Sequence, residues 1–345
     1  MKITYFIGNG FDIGLGMQTG YKDFYPYFMD MASDDNMIKK QIQMDSSDWE
    51  SYQKWADLEM GLGKFTNYVS IEQVDKFLDD KVELDKLLVQ YLKQESSKHK
   101  FEEAIINNML VDSIQTLRKW EVENELRLVD SVHTQFKNNQ VAYDVISFNY
   151  TDCMNNFFEI GKKTMNSFTI SSPSDGSIYA YRLGDVFHVH GKLHDAEMIL
   201  GVNDETQIAN SQIRDHEEIK RYMIKSELNE IIGQNKVRKA RGIINESKII
   251  CLYGMSLGDT DKMWWEYLGD WLKNSGQRLL IIFDYAPDFT AEHARDIYRY
   301  KERVRSRFIN QAGLTGIEQK ELDSIKKRIL IKSNENIFEY KRKEN

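Results

Sequence analysis

Proline and cysteine are nearly absent from this chain. The three prolines, Pro26, Pro173 and Pro287, leave few places for a rigid linker between domains, because proline's fixed φ is what stiffens such segments. The two cysteines, Cys153 and Cys251, are neither paired by spacing nor part of a C-x-x-C. That excludes a cysteine-cluster zinc site and suits a reducing cytoplasm. No apolar run approaches the roughly 18 residues of a membrane-spanning helix, and the N-terminus lacks the charged-then-apolar layout of a secretory signal. Neither membrane association nor export is therefore expected. Positive charge is in deficit as well: 46 Lys and Arg against 54 Asp and Glu leave a net −8. This argues against a broad nucleic-acid-binding surface while leaving a local basic pocket open. Lys236, Arg238, Lys239 and Arg241, and the basic residues from Arg299 to Arg307, accordingly read as solvated faces.

What is present suffices for a proper core. Hydrophobic residues make up 41% of the 345, an ordinary share for a chain able to form one large domain or two small ones. An apolar run from Ile3 to Ile7 leads directly into I-G-N-G-F-D-I-G-L at 7–15. A strand entering Gly8-Asn9-Gly10 and then a helix can cradle an anion, since the backbone can approach closely and the first helix amides point outward. The spacing departs from G-x-G-x-x-G, because Ile13 takes the third glycine's place and Gly14 follows one residue late. A plain strand-to-helix turn accounts for the same glycines. A dinucleotide-binding unit would also end a second strand on an acidic residue about 20 positions later. Here that place falls in an aromatic helical stretch, so ordinary hydride transfer is not expected.

Helical periodicity dominates from 21 to 138. The stretch 21–31 is aromatic, with Pro26 limiting how far upstream its helix can start, and 33–36 is a polar loop. Trp49, Trp55, Leu58 and Leu62 form a stripe, with Asp57 and Glu59 opposite. The segments 71–94 and 101–138 predict two long helices packed antiparallel. From Val141 the texture changes to buried strands at 143–148, 186–190, 248–252, 278–284 and 328–332. Between them lie a loop around Ser171, Ser172, Pro173, Ser174 and Gly176, and helices at 216–233, after 261 and at 291–309. Strands apolar on both faces, alternating with helices, predict a parallel sheet covered on two sides. The polar motifs stand at the carboxyl ends of predicted strands, where such sheets bind ligands. The expected fold is a single α/β, parallel-sheet, Rossmann-like nucleotide-binding domain over 1–345, with a helical insertion at 49–138.

Several side chains at those ends could do chemistry, and each also fits a plainer structural role. Asn149 could hydrogen-bond a ribose hydroxyl or hold a water, or it could be a turn residue ahead of a helix. His188 and His190, two apart on a strand, face one side. They could share a metal ion, His190 alone could be a base, or both could be structural. His194 follows with Asp195 beside it. Asp12, Asp57, Glu59 and Asp261 are available carboxylates, yet no motif groups them into a metal set, and Asp57 with Glu59 also reads as an ordinary charged helix face. The turn 254–259 offers amides and the Ser256 hydroxyl to a diphosphate or ribose, or else opens the Trp264-Trp265 helix.

Five motifs together carry a resemblance: I-G-N-G-F-D at 7–12, W-A-D-L-E at 55–59, F-N-Y-T at 148–151, H-V-H-G at 188–191 and Y-G-M-S-L-G-D-T-D at 253–261. In this order, over residues 3–285, the chain resembles the AbiH family, associated with abortive infection, in which bacteria resist phage. At a remove the layout is similar to the sirtuin-like superfamily, whose members bind NAD and break its nicotinamide–ribose bond. The resemblance implies a sirtuin-like form of the expected fold, with NAD or a related ADP-ribose nucleotide as the small-molecule partner. By position, Gly8, Asn9, Gly10 and Phe11, with Asp12, match the glycine loop, and Asn149, with Tyr150 and Thr151, matches the asparagine loop. His190 matches the catalytic histidine, and Gly254, Ser256, Leu257 and Asp259 match the late nucleotide loop. The chain departs where sirtuins read Asn-x-Asp, having Thr151 there and Asp152 one later. Its glycine loop is Gly-Asn-Gly rather than Gly-Ala-Gly, and with no cysteine cluster for the sirtuin structural zinc, no metal is expected. The resemblance implies an NAD glycohydrolase of the cytoplasm, with His190 as base and Asn149 orienting water or ribose. A phage component as trigger and self-association into a homo-oligomer are further expectations. Two alternatives stand beside it: a metal-dependent hydrolase or nuclease using His188 and His190, and a nucleotide sensor without turnover.

Overall fold

A computed structural model describes residues 1–135, 140–171, 176–193, 198–232, 235–338 and 340. Seven strands form one sheet: β1 (Lys2–Ile7), β2 (Val141–Ser147), β3 (Ser167–Ser171), β4 (Ile178–His188), β5 (Ile249–Tyr253), β6 (Leu279–Asp284) and β7 (Ile329–Ser333). Their order is β3-β4-β2-β1-β5-β6-β7, and every pairing is parallel except β3 with β4. Leaving out the antiparallel edge, the six parallel strands run 3-2-1-4-5-6, the order of a doubly wound sheet whose topology switches beside its first strand.

Both faces are covered, as the apolar strands require. Ile3, Tyr5 and Ile7 of β1 join a core with the helices Glu103–Gln115, Glu123–Thr134 and Cys153–Thr164. Phe6, on the opposite face, joins one with the helices Lys236–Glu246, Lys262–Lys273 and Ala294–Gln311. A third core unites Tyr21–Met31, Met37–Asp45, Leu58–Phe65 and Val74–Lys98 with residues from Leu193 to Ile224. This third body caps the carboxyl edge of the sheet. The helices between β1 and β2 thus serve two places: those from Tyr21 to Lys98 build the cap, and those from Glu103 cover a sheet face.

The structure corrects several expectations. The helix predicted over 101–138 is broken at Lys119 and Trp120. Lys332 Nζ takes the Lys119 carbonyl at 2.6 Å and Trp120 Nε1 the Leu117 carbonyl at 2.7 Å, so acceptors that would continue the helix are spent on side chains. Nor do the two long segments form an antiparallel pair, since their buried residues belong to different cores. The single helix expected at 216–233 is two, Glu217–Met223 and Lys225–Ile231, separated by Ile224 in an extended conformation and bridged to Val202. Pro26 lies inside its helix, not ahead of it, on the exposed side where water can satisfy the carbonyl it leaves unpaired. β3 occupies a stretch expected to be irregular, and β4 begins at Ile178 rather than near 186. In β3 only Ile170 is buried, so no apolar run marks it.

The turns after β1 and β5 touch backbone to backbone. Gly8 N donates to Tyr253 O and Gly10 N to Gly254 O, both at 3.0 Å. A Cβ at Gly8 would stand 2.5 Å from Gly254 O, and one at Gly10 would stand 2.6 Å from Gly254 Cα. Gly254 itself has φ +64, which an L side chain resists. Gly254→Ala is therefore expected to destabilise the protein by about 2 kcal/mol or more in denaturant titration. Gly242→Ala, in a helix with nothing within 4 Å of its added methyl, should be neutral or gain up to about 1 kcal/mol. Equal effects of the two would contradict this contact.

Candidate functional site

A cleft of about 870 Å³ opens where the topology switches, between the carboxyl ends of the central strands and the helical cap. Turns following β1, β2, β4 and β5 supply its floor: Gly8, Asn9, Gly10 and Asp12, then Asn149, Tyr150 and Thr151, then His190, then Gly254, Ser256 and Asp261. The cap supplies an aromatic wall of Tyr21, Tyr25, Trp49, Tyr52 and Trp55. Trp55 is buried, its Nε1 donating to Asp45 at 2.8 Å. Trp49, from the same expected stripe, is 73% exposed at the mouth. Two exposed cations, Lys22 and Arg307, also line it.

The break at Ile224 delivers a charge to this floor. Lys225 is buried, and its Nζ donates to Glu59 Oε2 at 2.8 Å, Asp261 Oδ1 at 2.9 Å and the Thr260 carbonyl at 3.1 Å. Against the cost of burial, Asp261 and Glu59 hold the ammonium well above its ordinary pKa. Against the same cost, Lys225 and the adjacent His190 hold Asp261 well below the usual carboxylate range. Glu59 goes the other way. Burial pushes it up to about 7, with Lys225 opposing and the neighbouring Asp261 and Asp57 reinforcing. His190 Nε2 stands 3.1 Å from Asp261 Oδ1, within ion-pair distance but short of an aligned hydrogen bond. Burial first, and Lys225 second, lower the His190 pKa from 6.5, so the ring is neutral at pH 7 and able to accept a proton.

A second group joins the ends of β1 and β2. Thr151 Oγ1 donates to Asp12 Oδ2 at 2.7 Å, while Asp12 Oδ1 and both side-chain atoms of Asn149 are buried without a partner. Burial lifts Asp12 to about 7, with Thr151 and Asn149 opposing.

The family model described as Bacteriophage abortive infection AbiH matches residues 4–283. The chain belongs to the AbiH family. No curated protein matches it significantly. The AbiH span runs from β1 to β6 and contains every turn that floors the cleft, whereas Arg307 at the mouth lies beyond it.

Not every residue expected at the site is there. In this AbiH chain Phe11 is wholly buried in the core against Phe157 and Phe338, Leu257 packs into the opposite core, and Asp259 turns outward to Gln311 at 2.7 Å. His188 does not share a side with His190. β4 ends at His188, and its Nδ1 donates to the Asn149 carbonyl at 2.8 Å while Nε2 meets the Asn155 amide. Both nitrogens are engaged, and burial lowers the ring pKa to about 4. The proposed histidine pair is thereby dismantled, and among the described residues no group of three or more His, Cys, Asp or Glu could hold a metal ion. His194 and Asp195 lie outside the described residues. The side chain of Asn9 is spent on Thr19, at 3.0 and 2.6 Å, and Asp57 caps the helix Leu58–Phe65 while also lining the cleft. Lys225, which holds Glu59 and Asp261 beneath the cleft, is missed by sequence reasoning, because a lysine inside an apparently continuous helix carries no signal. The aromatic wall is visible in the sequence only as a helical stripe.

Removing Lys225 would strand two buried acids. Lys225→Ala is expected to cost about 3–5 kcal/mol in denaturant-measured stability, and a loss under about 1 kcal/mol would show that the network is not a buried ion cluster.

Proposed function

We propose that the cleft binds NAD or a related ADP-ribose nucleotide and hydrolyses its nicotinamide–ribose bond, in abortive defence against phage. The remote sirtuin-like likeness belongs to this proposal, and the doubly wound strand order supports it. The observation that carries it is the convergence of Asn149 and His190 on one cleft at the topological switch point. The aromatic wall offers faces to the bases, and Lys22 and Arg307 offer charge to a diphosphate.

The chemistry asks little acid assistance. As the C1′–N bond breaks, its electron pair leaves on nicotinamide, which departs neutral, and positive charge spreads over C1′ and the ring oxygen. The Asp261 carboxylate on the floor favours that charge. Water then adds to C1′ as His190 accepts its proton, with Asn149 holding the water or the ribose in line. His190 must be unprotonated for this. Its lowered pKa favours the base form at neutral pH, so the contribution of His190 should be lost as pH drops through a value below 6.5.

Incubation with NAD, with phage lysate added as a trigger, should release nicotinamide detectable by chromatography. His190→Ala should reduce the rate by at least about a hundredfold. Undiminished release by His190→Ala, or no release under any of these conditions, would refute the activity.

A further inference from the structure

The helix Ala294–Gln311 carries a row of arginines outside the cleft. Arg295, Arg299, Arg303 and Arg307 recur at every fourth position, so they lie along one side of the helix, and all four are exposed. At 1.5 Å per residue the row extends for about 18 Å, with a charge about every 6 Å. Its inner end, Arg307, reaches the mouth of the cleft. The whole row falls beyond the residues matched by the AbiH model.

A charged helix face is ordinarily just solvated, but three observations set this one apart. Lysines outnumber arginines 31 to 15 in the chain, whereas this helix holds five arginines to one lysine. Its acids are spent elsewhere: Asp296 accepts from His293 N at 3.0 Å, and Glu302 holds Arg305 at 2.7 Å. Lys301 and Arg305 turn to Glu125, and the row itself makes no ion pair among the described residues. Thirdly, Tyr298 stands beside the row 65% exposed, and Tyr285, just after β6, is 78% exposed. Arg303 is already laid over the Tyr300 ring, at 5.4 Å.

These features narrow the partner. Guanidinium groups grip phosphates in a fixed, two-bonded geometry that lysine lacks, and evenly spaced charges answer a polymer whose own charges are evenly spaced. The apolar side of the helix, Tyr300, Val304, Phe308 and Ile309, is buried on the sheet and cannot turn toward a bilayer. Exposed tyrosines can stack on unpaired bases, whereas a duplex hides its base faces. We infer that the row is a docking surface for a single-stranded nucleic acid. The arginines take successive backbone phosphates and Tyr298 stacks a base. The inference is independent of what the cleft turns over.

Fluorescence anisotropy with labelled oligo-dT and oligo-U of about 12 nucleotides, titrated across a range of salt, tests it. Wild type should bind with a slope of log affinity against log salt near about −3, as four phosphate contacts on a single strand require. Replacing Arg295, Arg299 and Arg303 together by Gln should weaken binding at least about tenfold at low salt and bring the slope to about −1. Replacing the exposed Lys86, Lys93 and Lys100 of the cap by Gln removes the same charge, and binding should stay within about twofold. Tyr298→Ala should cost about tenfold with either oligomer and nothing with a duplex. Should the triple arginine variant not fold, Arg299→Gln alone should lower the slope by about 0.7. Binding of either oligomer in this manner supports the surface, the tighter one naming the sugar. No binding, or equal losses in the arginine and lysine variants, overturns it. A duplex bound as tightly as the single strands, with Tyr298→Ala neutral, overturns the single-strand assignment. Retention on phosphatidylserine vesicles without oligomer binding overturns it in favour of a membrane.

Discussion

Gly8 and Gly10 give their amides to the carbonyls of Tyr253 and Gly254, and three absent side chains let the two turns meet. That contact sits between the adjacent parallel strands β1 and β5, where the direction of strand addition reverses. Residues just beyond it on either side, Asp12 on one turn and Ser256, Gly258, Thr260 and Asp261 on the other, are thereby brought to one space. The amides of Gly8 and Gly10 are consumed in making the contact, so they position the cleft and are not themselves free to hold a phosphate.

The cap is joined to the sheet by charge as well as by packing. Glu59 comes from a cap helix, Lys225 from the break between two short helices, and Asp261 from the turn region after β5. One buried ammonium between two carboxylates from different elements is stable only with all its bonds made. Asp261 of this cluster also stands 3.1 Å from His190 on the cleft floor.

Much of the fold is legible in the sequence because the central strands are apolar on both faces. Runs as short and as uniformly apolar as Ile3–Ile7 and Ile249–Tyr253 fit buried strands far better than helices or loops. The half-exposed β3 and the start of β4 lack that signature. Breaks at Lys119 and Ile224 come from tertiary bonds, to Lys332 and Val202, which local periodicity does not encode. At the site, Asn149, His190 and Gly254 are readable as polar or glycine residues at strand ends. Lys225 is not. The role of Gly8 and Gly10 is also hidden, because a glycine kept for a ligand and one kept for a neighbouring backbone look alike in sequence. Phe11, Leu257 and Asp259 fall within the motifs, whereas side-chain direction in the turns sends them elsewhere.

The central claim is that the cap and the carboxyl edge enclose a single nucleotide site. Its most direct measurement is a crystal structure of His190→Ala, which removes the base and so slows turnover, soaked with NAD. The expected result is NAD in the cleft, its nicotinamide ribose beside Asn149 and position 190, and the diphosphate toward Lys22 and Arg307. An empty cleft at saturating NAD, or NAD seated elsewhere on the molecule, would contradict it.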